Sequence, residues 1–215
     1  MAGLRAFNSN GSVASVVNEG SLNAALGGYI ALLAPTVRNN GVIIAELGTV
    51  ALVGGTQYVL TFSDSSLNAL SVSPATIATL VTNGNAVYAP GGLIILSAQG
   101  AHQIQSGIVG NSGVLDATGI DTHAGVIELS ATQSITVSGV IKADAPLNSN
   151  LNGGMISIIS DLSNSTSQTN INGVISAKGG SLGAVGGRVE TSGSSVMVSE
   201  LASVNTTTVN GVTGL

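Results

Sequence analysis

The chain is 215 residues long and 44% hydrophobic, enough apolar material for a core, yet only 2% aromatic and 7% charged with 30 glycines. That balance is unlike a compact globule and suits a thin solenoid, whose narrow interior takes Ile, Val, Leu and Ala while its exterior is Ser, Thr and Asn. A net charge of −5 with five basic residues excludes the clustered Lys and Arg that nucleic acid or a membrane surface requires, zero cysteines exclude disulfides and thiolate metal sites, and no apolar run reaches the length of a spanning helix.

The opening Met1-Ala2-Gly3-Leu4-Arg5 lacks the apolar stretch of a signal peptide. Either the chain stays inside the cell or, the favoured reading, it is a piece of a longer exported precursor with an added or internal Met. From Gly20 onward a Gly-led phrase with Ile, Val or Leu third and Ala fifth recurs, headed by Gly20, Gly41, Gly113, Gly139 and Gly173, with a one-residue-longer copy at Gly84 to Ala89. Each copy is followed by a second phrase, headed in turn by Gly28, Gly48, Gly92, Gly125, Gly154 and Gly187. Both alternate at period two, the pattern of a strand with one face in a core.

The links within the first pairs, Ala25-Leu26-Gly27, Glu46-Leu47 and Pro90-Gly91, are too short for a crossover helix, so corners must join the paired strands. A coil of about 20 residues buries little alone, and stacking coils is what creates a continuous interior. The expected fold is all-β, a parallel β-solenoid with projecting loops. Gly at each phrase head suits a corner that needs positive φ or close backbone approach. Asn18, Asn39, Asn40, Asn83, Asn111 and Asn172 sit beside these corners, where ladders of Asn between coils are expected.

One domain spans 1–215, divided into regular coils over 1–60, an irregular strand pair or hairpin over 61–80, and coils with longer insertions over 81–215. Phe62-Ser63-Asp64-Ser65-Ser66 reads as a turn and Leu67 to Val72 as a strand pair or hairpin leaving the coil. Asp144 to Leu151 and Ser160 to Asn170 read as solvent loops projecting from one side, and Val204 to Val209 as a last polar coil or frayed end. Outward positions of the second phrase are apolar early, at Tyr29, Ala31, Leu93 and Ile95, and charged late, at Glu128, Arg188 and Glu190. The early face therefore reads as covered, by a hairpin, a neighbouring domain or another copy, and its four residues as a candidate association face.

The outward fourth positions of two consecutive first phrases are Asp116 and Lys142, which on adjacent coils would stack about 5 Å apart. Asp116, Asp121, His123 and Glu128 form the best local cluster for Ca²⁺ binding or acid–base chemistry. They read instead as exposed strand positions and a polar loop, and His102 as a solvated or corner histidine. With no phosphate loop or nucleophile motif, the sequence assigns no catalytic, cofactor or metal residue. Asn10, Asn164 and Asn205 head triplets that match the glycosylation pattern, one that is frequent by chance in a Ser/Asn-rich chain.

The run Gly27-Gly28-Tyr29-Ile30-Ala31-Leu32-Leu33-Ala34-Pro35, then Val37-Arg38-Asn39-Asn40-Gly41-Val42-Ile43-Ile44-Ala45 and Leu47-Gly48-Thr49-Val50-Ala51-Leu52, resembles two-partner-secretion exoproteins of the filamentous haemagglutinin family. The likeness continues more loosely to about Leu201. It implies a right-handed parallel β-helix that serves as an adhesin or stalk on or released from a Gram-negative surface, passed outward by an outer-membrane exporter and meeting a host or cell-surface ligand. Because the chain has no Asn-Pro pair, unlike the Asn-Pro-Asn-type motifs of that family's secretion domain, it resembles the region following that domain. End-to-end or lateral self-association through open strand edges is the alternative role, and a β-helical polysaccharide-degrading enzyme the third.

Overall fold

A computed structural model describes residues 3–63, 66–101 and 106–208. Strand β1 (Gly3–Asn8) precedes the first coil, built from β2 (Ser15–Asn18), β3 (Ser21–Asn23) and β4 (Tyr29–Ala34). The second coil is β5 (Thr36–Asn39), β6 (Val42–Ile44) and β7 (Thr49–Gly54), after which β8 (Gln57–Ser63) and β9 (Ser66–Ser73) leave the stack as a hairpin. The third coil is β10 (Thr79–Asn83), β11 (Ala86–Tyr88) and β12 (Leu93–Ala98), and the fourth β13 (Gly107–Asn111), β14 (Val114–Asp116) and β15 (Val126–Ala131). The fifth is β16 (Ser134–Val137), β17 (Val140–Lys142) and β18 (Met155–Ser160), and the sixth β19 (Gln168–Ile171), β20 (Val174–Ser176) and β21 (Arg188–Ser192). Strands β22 (Ser195–Val198) and β23 (Ser203–Asn205) open a seventh.

Like strands of successive coils pair in parallel, giving a first face from β2 to β22, a second from β3 to β23 and a third from β4 to β21. The chain is thus a parallel β-helix, as the repeat requires. Each coil has three strands rather than the two expected. The missed strand carries its own signal, Val-x-Asn, at Val16 to Asn18, Val37 to Asn39, Val81 to Asn83 and Val109 to Asn111.

The third position of every Gly-led phrase points inward. Ile43, Val87, Leu115, Ile141 and Ile175 stack down the second face, and Val50, Ile94, Ile127 and Ile156 down the third, all fully buried in one continuous core. The corner alanines Ala45, Ala89, Ala117, Ala143 and Ala177 close the column between those faces. Their small size lets the chain turn without leaving a void.

The phrase-head glycines answer to close approach. None of them is among the positive-φ residues. A Cβ on Gly139 would fall inside the contact radius of the Gly113 carbonyl oxygen of the coil before, and Gly41, Gly113 and Gly173 meet Gly20, Asn85 and Gly139 in the same way. Gly20, in the first coil, has nothing within 4 Å of that position. Close backbone approach, from the stacked coil or, at Gly28 and Gly125, from the coil's own corner, therefore requires Gly at most phrase heads, with Gly84 meeting only ordinary contacts.

Asn side chains form the expected ladder, but over four coils only. Asn18 Nδ2 donates to Asn39 Oδ1, Asn39 Nδ2 to Asn83 Oδ1 and Asn83 Nδ2 to Asn111 Oδ1, each at 2.8 Å and across 21, 44 and 28 residues of chain. The next rungs are Val137, Ile171 and Val198, so the ladder ends at Asn111 and the buried column turns apolar. Asn172 lies one residue beyond the rung at Ile171.

The two long insertions leave different corners, one between the second and third faces and one between the third and first. The second is not a solvent loop throughout. Asn164 and Ser167 are buried, and Asn164 Nδ2 donates to the Thr132 carbonyl at 2.8 Å, because polar groups folded against a coil must find partners there.

Candidate interaction site

The hairpin and β1 form a three-stranded antiparallel sheet ordered β1-β8-β9, with Gly3 paired to Phe62 and Asn8 to Gln57. This sheet is the cover over the early apolar face. The hairpin begins at Gln57, earlier than the sequence suggests, and Asp64 and Ser65 of the expected turn lie outside the described residues. Alternation in β8 points Tyr58, Leu60 and Phe62 at the solenoid, where they form a second core with Ala51, Val53, Leu67 and Ile95.

Of the candidate association residues, Ile95 is buried in this core and Ala31 and Leu93 pack against it. Tyr29 stays exposed at its rim, with its ring 5.0 Å from that of Phe62. The Arg5 guanidinium lies 5.5 Å from the centre of the Phe62 ring, which gives the cation the negative face of an aromatic. Thr49 Oγ1 donates to the Leu67 carbonyl at 3.0 Å and ties hairpin to solenoid. Tyr58 hydroxyl donates to the Gly55 carbonyl, and burial pushes its pKa up to about 12.

The cover stops at β9. Beyond it the third face runs on uncovered, leaving a groove of about 570 Å³ between the β9 edge and the outer surfaces of β12, β15 and β18. Leu70, Val72 and Ile95 form its apolar side, and Glu128, Ser157 and Ile159 the opposite one. Ser130 Oγ donates to Ser97 Oγ at 2.9 Å, and Gln99 Nε2 reaches both hydroxyls, so the floor between those sides is a satisfied polar patch. Glu128 is exposed and carries no ion pair among the described residues.

The acidic cluster does not converge. Asp116 sits on the second face, where its Oδ1 accepts the Thr118 N–H at 2.8 Å and hydroxyl at 2.6 Å, while Glu128 sits on the third. Asp121, at φ 52°, makes the turn bridging Ile120 and His123. No group of three or more His, Cys, Asp or Glu among the described residues is placed to hold a metal. Asp116 instead pairs with Lys142 at 3.9 Å, the axial stacking expected of adjacent coils. His102 lies outside the described residues.

Of the glycosylation triplets, Asn164 is closed off by burial and by accepting both the Thr166 N–H and hydroxyl. Asn205 accepts from Thr207 likewise, whereas Asn10 is an exposed turn residue at φ 50°. No helix among the described residues is long and apolar enough to cross a membrane.

The fold is similar to that in a crystal structure of the HMW1 secretion domain from Haemophilus influenzae, with a TM-score of 0.75 and 21% identity over 94% of this chain and 53% of that one. The chain therefore spans about half the length of the structure it matches. No family model matches the sequence, and no curated protein matches it.

Proposed function

We propose that the chain is a non-catalytic segment of a secreted bacterial surface exoprotein of the two-partner-secretion type, passed outward by an outer-membrane exporter and serving as a rigid, adhesive element. The observation that carries the reading is the likeness to a secretion domain along 94% of the chain, joined to the family-like run Gly27 to Leu52, which builds the third strand of the first coil and nearly all of the second. The missing Asn-Pro pair supports a place after the secretion domain, as in the filamentous haemagglutinin family; the end-to-end fold likeness supports a place within it. We take the second, because the likeness takes in most of the coil stack rather than a few coils. The placing of Asp116 and Glu128 on different faces supports a non-catalytic role.

The test is export. A signal peptide fused ahead of residues 1–215, expressed in a Gram-negative host, should deliver the chain to the cell surface or medium only when a two-partner exporter is co-expressed. Retention in the periplasm with every exporter of a panel overturns the reading. Adhesion to a host or cell surface is measured separately, as binding of the purified chain to cultured epithelial cells above a size-matched control.

Self-assembly is a second reading with an observation of its own. Inner-column residues of the last described coil are open, with Val196 43%, Val198 56% and Val204 49% exposed, where the same positions in middle coils are closed. Such an edge accepts another coil, and end-to-end stacking of copies would meet that demand. Concentration-dependent filaments are expected on this reading, and a monomeric sedimentation profile at high concentration counts against it.

A further inference from the structure

The groove beside β9 has two features that together define an occupant. The first is the edge itself. Strand β9 is eight residues long, ends the β1-β8-β9 sheet, and reads Ser-Leu-Asn-Ala-Leu-Ser-Val-Ser, with no charge and no proline. Charge and proline are two of the devices that blunt natural edges, and β9 has neither; a bulge between the pairings Thr61–Ala69 and Phe62–Leu67, with the Thr49 bond to the Leu67 carbonyl, confines the regular free edge to residues 69–73, which is a template for one more strand. The opposite edge, β1, carries Arg5.

The second feature is what lies beneath the open side. The outer surfaces of β15 and β18 run on under the space next to β9, so an added strand would rest its inward side chains on Glu128, Ser157 and Ile159. A second copy cannot take that place through its own β9. Two-fold antiparallel pairing of identical strands keeps both solenoids on one face of the joined sheet, and that side is already filled by the coils that floor the groove. The space admits a strand and excludes a solenoid.

We propose that this groove is a strand-addition site for an extended segment of a partner protein that pairs its backbone with β9 over residues 69–73. Its inward residues alternate apolar and small, with a Lys or Arg facing the unpaired Glu128. Main-chain hydrogen bonds to β9 supply the affinity, and the alternate side chains supply the selectivity. The site is independent of the export reading, since it rests on an edge and a groove rather than on the fold likeness.

The experiment uses the full chain and three synthetic eight-residue peptides: alternating Val and Thr with one central Lys, the same with Glu in place of Lys, and the Lys peptide N-methylated at alternate amides along its pairing edge. Binding is read by fluorescence anisotropy and by amide hydrogen exchange over Ser66 to Ser73. Saturable binding of the Lys peptide with slowed exchange in β9 is expected, with loss of both on N-methylation. The Lys peptide should bind a few-fold tighter than the Glu peptide, the range of an exposed cross-strand ion pair. Glu128→Lys, at an exposed position, should keep the fold by circular dichroism and reverse that preference. Absence of β9 protection at millimolar peptide, protection elsewhere, or binding indifferent to N-methylation overturns the proposal. Binding at β9 with an unchanged Lys-over-Glu preference in Glu128→Lys overturns the assigned role of Glu128.

Discussion

Replacing Gly139 by Ala tests the claim that stacked backbones, rather than corner dihedrals, demand glycine. The new methyl would press on the Gly113 carbonyl and the Ser112 backbone, neither of which can swing aside as a side-chain tip would. The coils must part, and the inter-coil bonds from Val140 N to Gly113 O (2.9 Å) and from Val174 N to Gly139 O (3.0 Å) lengthen with them. Overpacking of a close-packed site costs about 1–3 kcal/mol, and weakening one such bond about 1 kcal/mol. The lower chain entropy of Ala in the unfolded state offsets about 0.4–1 kcal/mol. A net destabilisation of about 1–3 kcal/mol follows. Gly20→Ala has no such contact and no positive φ, so only the entropy gain remains and the variant should be unchanged or slightly more stable. Urea unfolding followed by far-UV circular dichroism measures both, with hydrogen exchange at Val140 reporting local opening if the coils unfold in segments. Equal shifts in the two variants would refute the reasoning.

The Asn ladder predicts an asymmetry: Asn83→Val strands donors and acceptors on both neighbours, whereas Asn111→Val faces Val137 on one side, so the first should cost roughly 1–3 kcal/mol more in the same urea assay. Tyr58, with its pKa raised from 10.0 to about 12, keeps its full contribution below pH 10. That contribution is lost as pH rises toward 12, because the unfolded phenol ionises first. Tyrosinate absorbance should show one of the three tyrosines titrating late, and stability should fall over that window; a single titration step with no such fall contradicts it. Leu60→Ala removes a 2% exposed side chain from the hairpin core and should cost about 2–5 kcal/mol locally. Hydrogen exchange should then accelerate over residues 57–73 while the inner columns stay protected, and uniform acceleration would show that hairpin and solenoid unfold as one unit.

Much of the solenoid was legible because its information is local and repeated. A Gly-led phrase with an inward third position needs only period-two alternation to be read, and Ile43, Val87, Leu115, Ile141 and Ile175 fall in one column as that alternation requires. Asp116 over Lys142 follows from register alone. The third strand of each coil was overlooked because its head has no Gly, although Val-x-Asn repeats there. The free β9 edge gave no signal in its own residues, since an edge is defined by the strand that is missing beside it.

What the sequence by itself determined, then, is the coil: which residues face inward, that like strands stack, and that the early outer face needs a cover. Tertiary structure alone decided that the cover is the chain's own hairpin held by β1, that the acids of one short segment part onto two faces, and that most phrase-head glycines serve close backbone approach. The physical reason is one of range. Inward-facing positions are set by neighbours two residues apart, whereas pairing Gly3 with Phe62 or passing the Asn39 bond to Asn83 depends on chain that returns from 44 or more residues away.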